Sequence, residues 1–373
     1  MKILQVASYY APTLGGMETV LQDLSEGLLA AGDQVTVLCS SSSHRGADEI
    51  MCGVRVLRSP SLGKLLSQPL TPFLPTTLRR LHRSFDLVHL HMPNPLAEAA
   101  VASLPRRVPI VVTYHADVIR QKALKPFYGP IRRAVLERSR RIVVPTENHI
   151  RYSEVLPAFA DKCSVVPFGI SRARYLMTTA SRARARELRD RHGRFVLFVG
   201  RLVYYKGLPQ LIESVRDVDP MLGNLVIVGD GPLRREAEAK IESLQLQERV
   251  TLAGSVPQAE LNAYLEACQL LVLPSISRSE GFGMTQLEGM LFGKPLVTTR
   301  LQSGVQLVNL DGETGFQVPP LDSRALAGAL NRLLSDDALR VSMGAAALER
   351  VESQFSLDQM IRGYREAYRQ ALA

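Results

Sequence analysis

Short apolar runs rich in β-branched side chains recur along the whole chain, and between most of them apolar positions fall at helical spacing. Lys2-Ile-Leu-Gln-Val-Ala7 is the first run. Val20, Leu21, Leu24, Leu28 and Leu29 then mark one face of a helix from about Glu18 to Ala31, which Gly32 closes. Val35-Thr-Val-Leu-Cys39 and Val54-Arg-Val-Leu57 read as the next strands. Asp86-Leu-Val-His-Leu-His91 alternates, so His89 and His91 share one face of a strand. Val108 to Asp117 is a strongly buried strand, and Lys122 to Arg141 a basic helical region. Arg141-Ile-Val-Val-Pro-Thr146 and Cys163-Ser-Val-Val-Pro167 complete a first series. A second series runs through Phe195–Val199, Leu225–Gly229, Val250–Ala253, Leu270–Leu273, Pro295–Thr299 and Gly315–Val318. Strands alternating with helices predict an α/β protein with parallel sheets.

Two stretches break the rhythm. Pro60, Pro69, Pro72 and Pro75 make residues 59–82 an irregular loop with at most one short helix. Ser171 to Gly193 is polar and Arg-rich, which places a domain boundary near residue 170. The expected organisation is a first domain over 1–170, a second over 171–356, and helices over Ser323–Ala373 with a break at Phe355-Ser356. Length agrees: 373 residues exceed one ordinary core and suit two domains of roughly 100 to 200 residues. With 46% apolar residues the chain can fill both cores.

No apolar run approaches the roughly 18 residues of a membrane span, and Met1 to Val6 is a strand too short for a signal peptide. A cytoplasmic location is therefore expected. Cys39, Cys52, Cys163 and Cys268 have no paired metal spacing and are expected as reduced core residues. The net charge of +9 is concentrated: between Lys64 and Arg141 fourteen Lys and Arg stand against four Asp and Glu, a surplus of ten. Such a block suits an anionic membrane surface or an acidic substrate, and the plain alternative is a solvated face. Interleaved aromatics and nucleic-acid motifs are missing, so nucleic acid is not the expected partner.

Candidate chemistry centres on Ser279-Glu-Gly-Phe-Gly-Met-Thr-Gln-Leu-Glu-Gly-Met290, which follows the run ended by Pro274. Strand, turn and helix are predicted, with Glu280 in the turn and Glu288 in the helix. Gly281 and Gly283 let the backbone approach a ligand, and free N–H groups at a helix start suit a diphosphate. Carboxylates beside an anion site are better used on sugar or ribose hydroxyls. A solvated helix start with acids placed for the dipole fits the same spacing. Arg201 and Lys206 share a loop bracketed by Gly200 and Gly207, an arrangement that suits a pyrophosphate. The Gly15-Gly16 pair lets an earlier loop approach a ligand, but it is not the dinucleotide fingerprint. His115 and Asp117 stand at a strand tip, where ligands bind in open parallel sheets; His115 is either catalytic or structural. His89 and His91 lack a convincing third metal ligand and read as structural.

With these residues the sequence resembles glycosyltransferase family 4, retaining enzymes of the GT-B fold. The likeness rests on Gly15-Gly16-x-Glu18, the His115 tip, Gly200-Arg201 with Lys206-Gly207, Gly229-Asp-Gly-Pro232, Glu280-x7-Glu288 and Gly312-Glu-Thr-Gly315, all in the family's order. His91-Met-Pro-Asn-Pro95, Ala116 to Lys122 and Arg201 to Lys206 look like the mannosyltransferases of bacterial surface-polysaccharide assembly. The resemblance implies two Rossmann-like doubly wound parallel-sheet domains facing across a cleft, with the helix near 357–373 returning to the first. It implies donor diphosphate on Arg201 and Lys206, ribose on Glu288 and sugar hydroxyls on Glu280. Gly281, Phe282, Gly283 and Met284 would present backbone to the donor, Gly15 and Gly16 would close on donor phosphate and acceptor, and His115 would lie beside the sugar. The implied donor is GDP-mannose, the acceptor lipid-linked or a growing glycan in O-antigen or exopolysaccharide assembly, and the location the inner face of the cytoplasmic membrane. No cofactor and no metal is expected, since two cations serve the leaving group. A UDP-sugar donor, or a sugar-nucleotide-binding protein or epimerase on the same fold, is the alternative. Ser303-Gly-Val-Gln-Leu307 departs from the Gly-Gly-x-x-Glu segment of many members.

Overall fold

The computed structural model describes residues 1–13, 15–65, 68–117 and 125–373. The chain divides into two compact units: Met1–Gly169 together with Leu357–Ala373, and Ile170–Ser356.

The first unit contains strands β1 (Lys2–Val6), β2 (Gln34–Ser40), β3 (Ala47–Met51), β4 (Val54–Ser59), a small hairpin β5 (Lys64–Leu65) and β6 (Gln68–Pro69), β7 (Leu87–Met92), β8 (Ile110–Tyr114), β9 (Arg141–Val144) and β10 (Cys163–Val165). Its helices are α1 (Gly16–Ala30), α2 (Leu74–Leu81), α3 (Pro95–Ala102), α4 (Lys125–Arg138) and α5 (Glu147–Tyr152). The main sheet has the order β10-β9-β8-β7-β1-β2-β4-β3. It is parallel except for β3, which pairs antiparallel with β4. That edge strand has no apolar alternation to betray it. Asp48 and Glu49 instead pair with Arg55 and Arg58 of β4, charges that also blunt an exposed edge.

One face of this sheet is apolar: Leu4, Val6, Val88, Leu90, Ile110 and Val112 pack with Leu74, Leu78, Val101 and Val135 from the helices. The opposite face carries Gln5, His89, His91, Thr113 and His115, all buried. Part of that polar face is covered by the last helix of the chain, α14 (Leu357–Leu372), whose Tyr364 and Tyr368 reach Thr113 and His89.

The second unit opens with α6 (Thr179–His192), a regular helix capped by Thr178 where composition alone gives a polar linking stretch. Ala185 and Leu188 bury one stripe of it while its arginines stay outside. There follow β11 (Phe195–Val199), α7 (Leu208–Ser214), β12 (Asn224–Val228), α8 (Arg234–Ser243), β13 (Val250–Gly254), α9 (Gln258–Ala267), β14 (Leu270–Leu273), α10 (Met284–Leu291), β15 (Leu296–Thr299), α11 (Val305–Val308), β16 (Gly315–Val318), α12 (Ser323–Ser335) and α13 (Asp337–Gln354). The sheet order is β13-β12-β11-β14-β15-β16, parallel throughout. The chain reverses direction across the sheet between β11 and β14, and at such a point the loops after the strands diverge and leave a crevice for a ligand.

Residues 59–82 hold the one short helix allowed for them, α2, and in addition the small hairpin. Other expectations are corrected. Cys52 is no core residue: it lies exposed in the β3–β4 turn with φ at 47°. Part of the basic block is structural as well. Arg132 is buried, and Arg138 donates to the carbonyls of Val101, Ala102 and Pro105. Arg79, Arg80, Arg83, Arg106 and Arg107 are exposed. Of the Ala116 to Lys122 motif, residues 118–122 lie outside the described residues. Among the described residues no helix is long and apolar enough to cross a membrane.

Candidate functional site

In the second unit three loops at the C-terminal edge of the sheet are stitched together. The loop after β11 carries Arg201 and Lys206, and its end packs against the loop after β14: a Cβ on Gly207, at φ 69°, would stand 2.0 Å from the Pro274 carbonyl oxygen. Only glycine permits that approach. Ile276 N–H donates to the Tyr205 carbonyl at 2.8 Å, and the Tyr204 and Ser279 hydroxyls meet at 2.9 Å. Gly304 N–H donates to the Gly281 carbonyl at 2.7 Å, which ties in the segment around Ser303.

These contacts bring Lys206 and Glu280 together. Lys206 Nζ lies 2.7 Å from Glu280 Oε2, with side chains 9% and 10% exposed, and Ser275 Oγ donates to the same oxygen at 2.9 Å. The family resemblance implies separate roles for them, phosphate and sugar binding; the fold makes them one buried ion pair. Removing either partner strands the other charge, which costs about 3–5 kcal/mol. Arg201 is exposed and makes no ion pair with a described residue. It is the cation of the loop left open to a ligand.

Helix α10 is capped at its N-terminus by Gly283, which is left-handed at φ 76° and so close to the sheet that a Cβ would meet Leu273 at 2.6 Å. Its first N–H groups have no intrahelical acceptor. Phe282 is buried, edge-on to Phe355, and Met284 begins the helix. Gly281 stands beside the Ser303 segment. Glu288 sits one turn further on, where Tyr175 donates its hydroxyl to Oε1 at 3.0 Å. Tyr175 comes from a short 3-10 turn, Arg172–Tyr175, and no spacing signal in the sequence connects it with Glu288.

The first unit holds Gly15, Gly16 and His115. Gly15 caps α1, and the Glu18 carboxylate folds so closely over it that a Cβ there would stand 2.2 Å from Oε2. His115 follows β8. Its ring lies 3.0 Å from His91 Nδ1, and His91 Nε2 lies 2.7 Å from Gln5 Oε1. Burial, with the neighbouring imidazoles second, pushes the pKa of His115 and of His91 well below the usual histidine range. Burial likewise lowers His89 to about 3 and His149 to about 4. Four imidazoles are thereby held neutral. His89 is wedged between Thr113 at 2.7 Å and Tyr368 at 2.8 Å. Asp117, the other strand-tip candidate, is engaged by Tyr114, by Ser153 at 3.0 Å and by Arg132 at 3.9 Å. Among the described residues no three His, Cys, Asp or Glu side chains are arranged to hold a metal ion.

Residues 14–174 match the model of Glycosyltransferase Family 4, and residues 180–350 that of Glycosyl transferases group 1. The chain is similar to O-antigen chain mannosyltransferase C of Escherichia coli, 31% identical over 99% of this chain and 98% of that one. It is similar also to the D-rhamnosyltransferase WbpZ of Pseudomonas aeruginosa, at 32% over 94% and 90%. In structure it superposes on sucrose-phosphate synthase from Thermosynechococcus elongatus with a TM-score of 0.83 at 24% identity, covering 99% and 98% of the two chains.

Proposed function

The chain belongs to glycosyltransferase family 4 and is a hexosyltransferase, and we propose that it moves mannose, or a closely related hexose, from a GDP-sugar to a lipid-linked or growing surface glycan with retention at the anomeric carbon. The observation that carries the donor is the end-to-end likeness to an O-antigen mannosyltransferase. Phosphatidyl-myo-inositol mannosyltransferases at 27–29% identity point the same way.

In this reading Arg201 and Lys206 receive the charge that develops on the diphosphate as the bond from anomeric carbon to phosphate oxygen breaks. The acceptor oxygen attacks from the same face, and its proton passes to the departing phosphate oxygen. Glu280, held by Lys206 and Ser275, accepts from sugar hydroxyls; Glu288, held by Tyr175, accepts from the ribose. Gly281 to Met284 offer backbone to the donor, His115 accepts from a sugar hydroxyl, and Gly15 and Gly16 serve donor phosphate and acceptor. With two cations at the leaving group, turnover needs no metal and survives a chelator.

GDP is expected to raise the unfolding temperature more than UDP or ADP at equal concentration, and an α-linked product is expected from an α donor. Preferential stabilisation by UDP would favour the second reading, a UDP-sugar donor. A structural neighbour of the same fold, HepE of Anabaena, was crystallised with UDP-glucose. A β-linked product would overturn the retaining mechanism.

The exposed arginines of the first unit, Arg79, Arg80, Arg83, Arg106 and Arg107, support docking on the anionic inner face of the cytoplasmic membrane, where a lipid-linked acceptor would reside. Each well-placed basic residue contributes about 1 kcal/mol to such attraction, screened over roughly 8 Å at physiological salt. Binding to anionic vesicles should fade as salt rises. Equal binding to neutral and anionic vesicles, or binding to neither, would reduce these arginines to a solvated face.

A further inference from the structure

Gln5, His91 and His115 come from three neighbouring strands, β1, β7 and the end of β8. The register sets Gln5 beside His89 and His91 beside Thr113, so polar side chains of all three strands line one face of the sheet. His115 is the last group in this row, at the edge where the strands end.

With the Gln5 amide oxygen facing His91, the hydrogen bonds leave one consistent arrangement of protons. An amide oxygen can only accept, so at 2.7 Å from Gln5 Oε1 the Nε2 of His91 must donate. A neutral imidazole carries one N–H, and His91 Nδ1 is therefore a lone pair. The contact of 3.0 Å between that Nδ1 and His115 Nε2 then requires the proton on His115 Nε2. The Nδ1 of His115, which bonds to no described residue, is left as an acceptor. The ring cannot turn away. It lies against Phe168 at 5.2 Å and His91 at 5.3 Å between centroids, its backbone N–H donates to the Met92 carbonyl, and its carbonyl lies 3.2 Å from His149 Nε2.

We propose that Gln5 and His91 are positioning residues that hold His115 as its Nε2–H tautomer and so present Nδ1 as a lone pair to a hydroxyl of the transferred sugar. The sugar contact rests on the functional reading above; the tautomer does not. Burial of both rings supports the arrangement, because a second proton on either is strongly disfavoured. Gln5 decides the polarity of the row. Turning its amide would present Nε2–H to His91, reverse both rings and make His115 Nδ1 a donor.

The test is long-range proton–nitrogen correlation on the full chain with nitrogen-labelled histidine, which reports which ring nitrogen carries the proton without reference to activity. Nε2–H is expected on both His91 and His115. Asparagine at position 91 can place Oδ1 near the lost Nδ1, so His91→Asn should keep the His115 tautomer and turn over within a few-fold of the parent. Gln5→Leu and His91→Leu should yield mixed tautomers and lower kcat roughly ten- to a hundredfold with KM little changed, the size of effect seen when a partner that orients a metal-bound imidazole is lost. Nδ1–H on His115 in the parent protein would overturn the proposal, and that measurement needs no variant to fold. Leucine variants that both keep His115 wholly as the Nε2–H tautomer would overturn it too. If His115→Ala itself turns over normally while the tautomer is as assigned, the sugar contact falls and the relay stands.

Discussion

The two sheets share a parallel architecture and use it in opposite ways. In the second unit every residue of β11 and β14 is buried and apolar, and the candidate site stands on loops joined beyond the strand ends by Gly207, Gly283 and the Lys206–Glu280 pair. In the first unit polar groups run into the sheet itself, with Gln5, His89, His91 and Thr113 on one face beneath the tyrosines of α14. A charge can serve at a loop because solvent or a ligand can reach it. Inside a sheet a buried charge is costly, and neutral groups with hydrogen-bond partners take its place. In the proposed reading the second unit therefore handles phosphate with cations, while the buried polar face of the first sheet offers neutral donors and acceptors.

Acid should separate the two most sharply. The folded state holds His89, His91, His115 and His149 neutral, whereas unfolded histidine takes up a proton near pH 6.5. Below that pH the unfolded state binds more protons, so stability falls as pH drops from about 6.5 toward about 4 for His149 and about 3 for His89. Each ring contributes up to about 1.4 kcal/mol per pH unit. Glu98, raised to about 7 chiefly by burial, acts in the opposite sense between pH 4.5 and 7, one group against four. Hydrogen exchange between pH 7 and 5 should show the first unit loosening before the second; equal loosening of both would break the comparison.

Next in size is Lys206→Ala, expected to destabilise the second unit by about 3–5 kcal/mol because it strands the Glu280 carboxylate. Replacing both by methionine should restore much of that stability and none of the turnover, while Glu280→Gln should stay folded and turn over very slowly. Near-normal turnover of Glu280→Gln would remove Glu280 from the site. Arg201→Ala, at an exposed position, should leave denaturant unfolding unchanged. It should weaken nucleoside diphosphate binding about ten- to a hundredfold, the size of a charge-assisted hydrogen bond, with the monophosphate affected less. The smallest change is Tyr175→Phe. Losing one hydrogen bond to a carboxylate should weaken the nucleotide about tenfold and narrow its preference over the deoxyribose analogue. A preference left intact there, but abolished by Glu288→Gln, would show that Glu288 needs no support from Tyr175.

Periodicity and punctuation in the sequence determined the local elements, because they depend on near neighbours: the alternating strands and helices, the turn holding Glu280, the helix holding Glu288, and the break at Phe355-Ser356. The edge strand β3 was illegible, since its exposed Asp48 and Glu49 find their reason only in arginines across the ladder. So was α6, whose buried stripe is a few small apolar positions among arginines. Spacing brought Arg201 and Lys206 onto one loop but could not reveal that Lys206 turns inward to Glu280 while Arg201 stays outside. That choice depends on loops from β11 and β14 meeting at Gly207. Nor could one strand explain why His89 and His91 alternate. Their partners, Gln5, Thr113, His115 and Tyr368, lie on other strands and on the last helix, and only when the chain folds back on itself does each buried imidazole find the hydrogen bonds that make its burial tolerable.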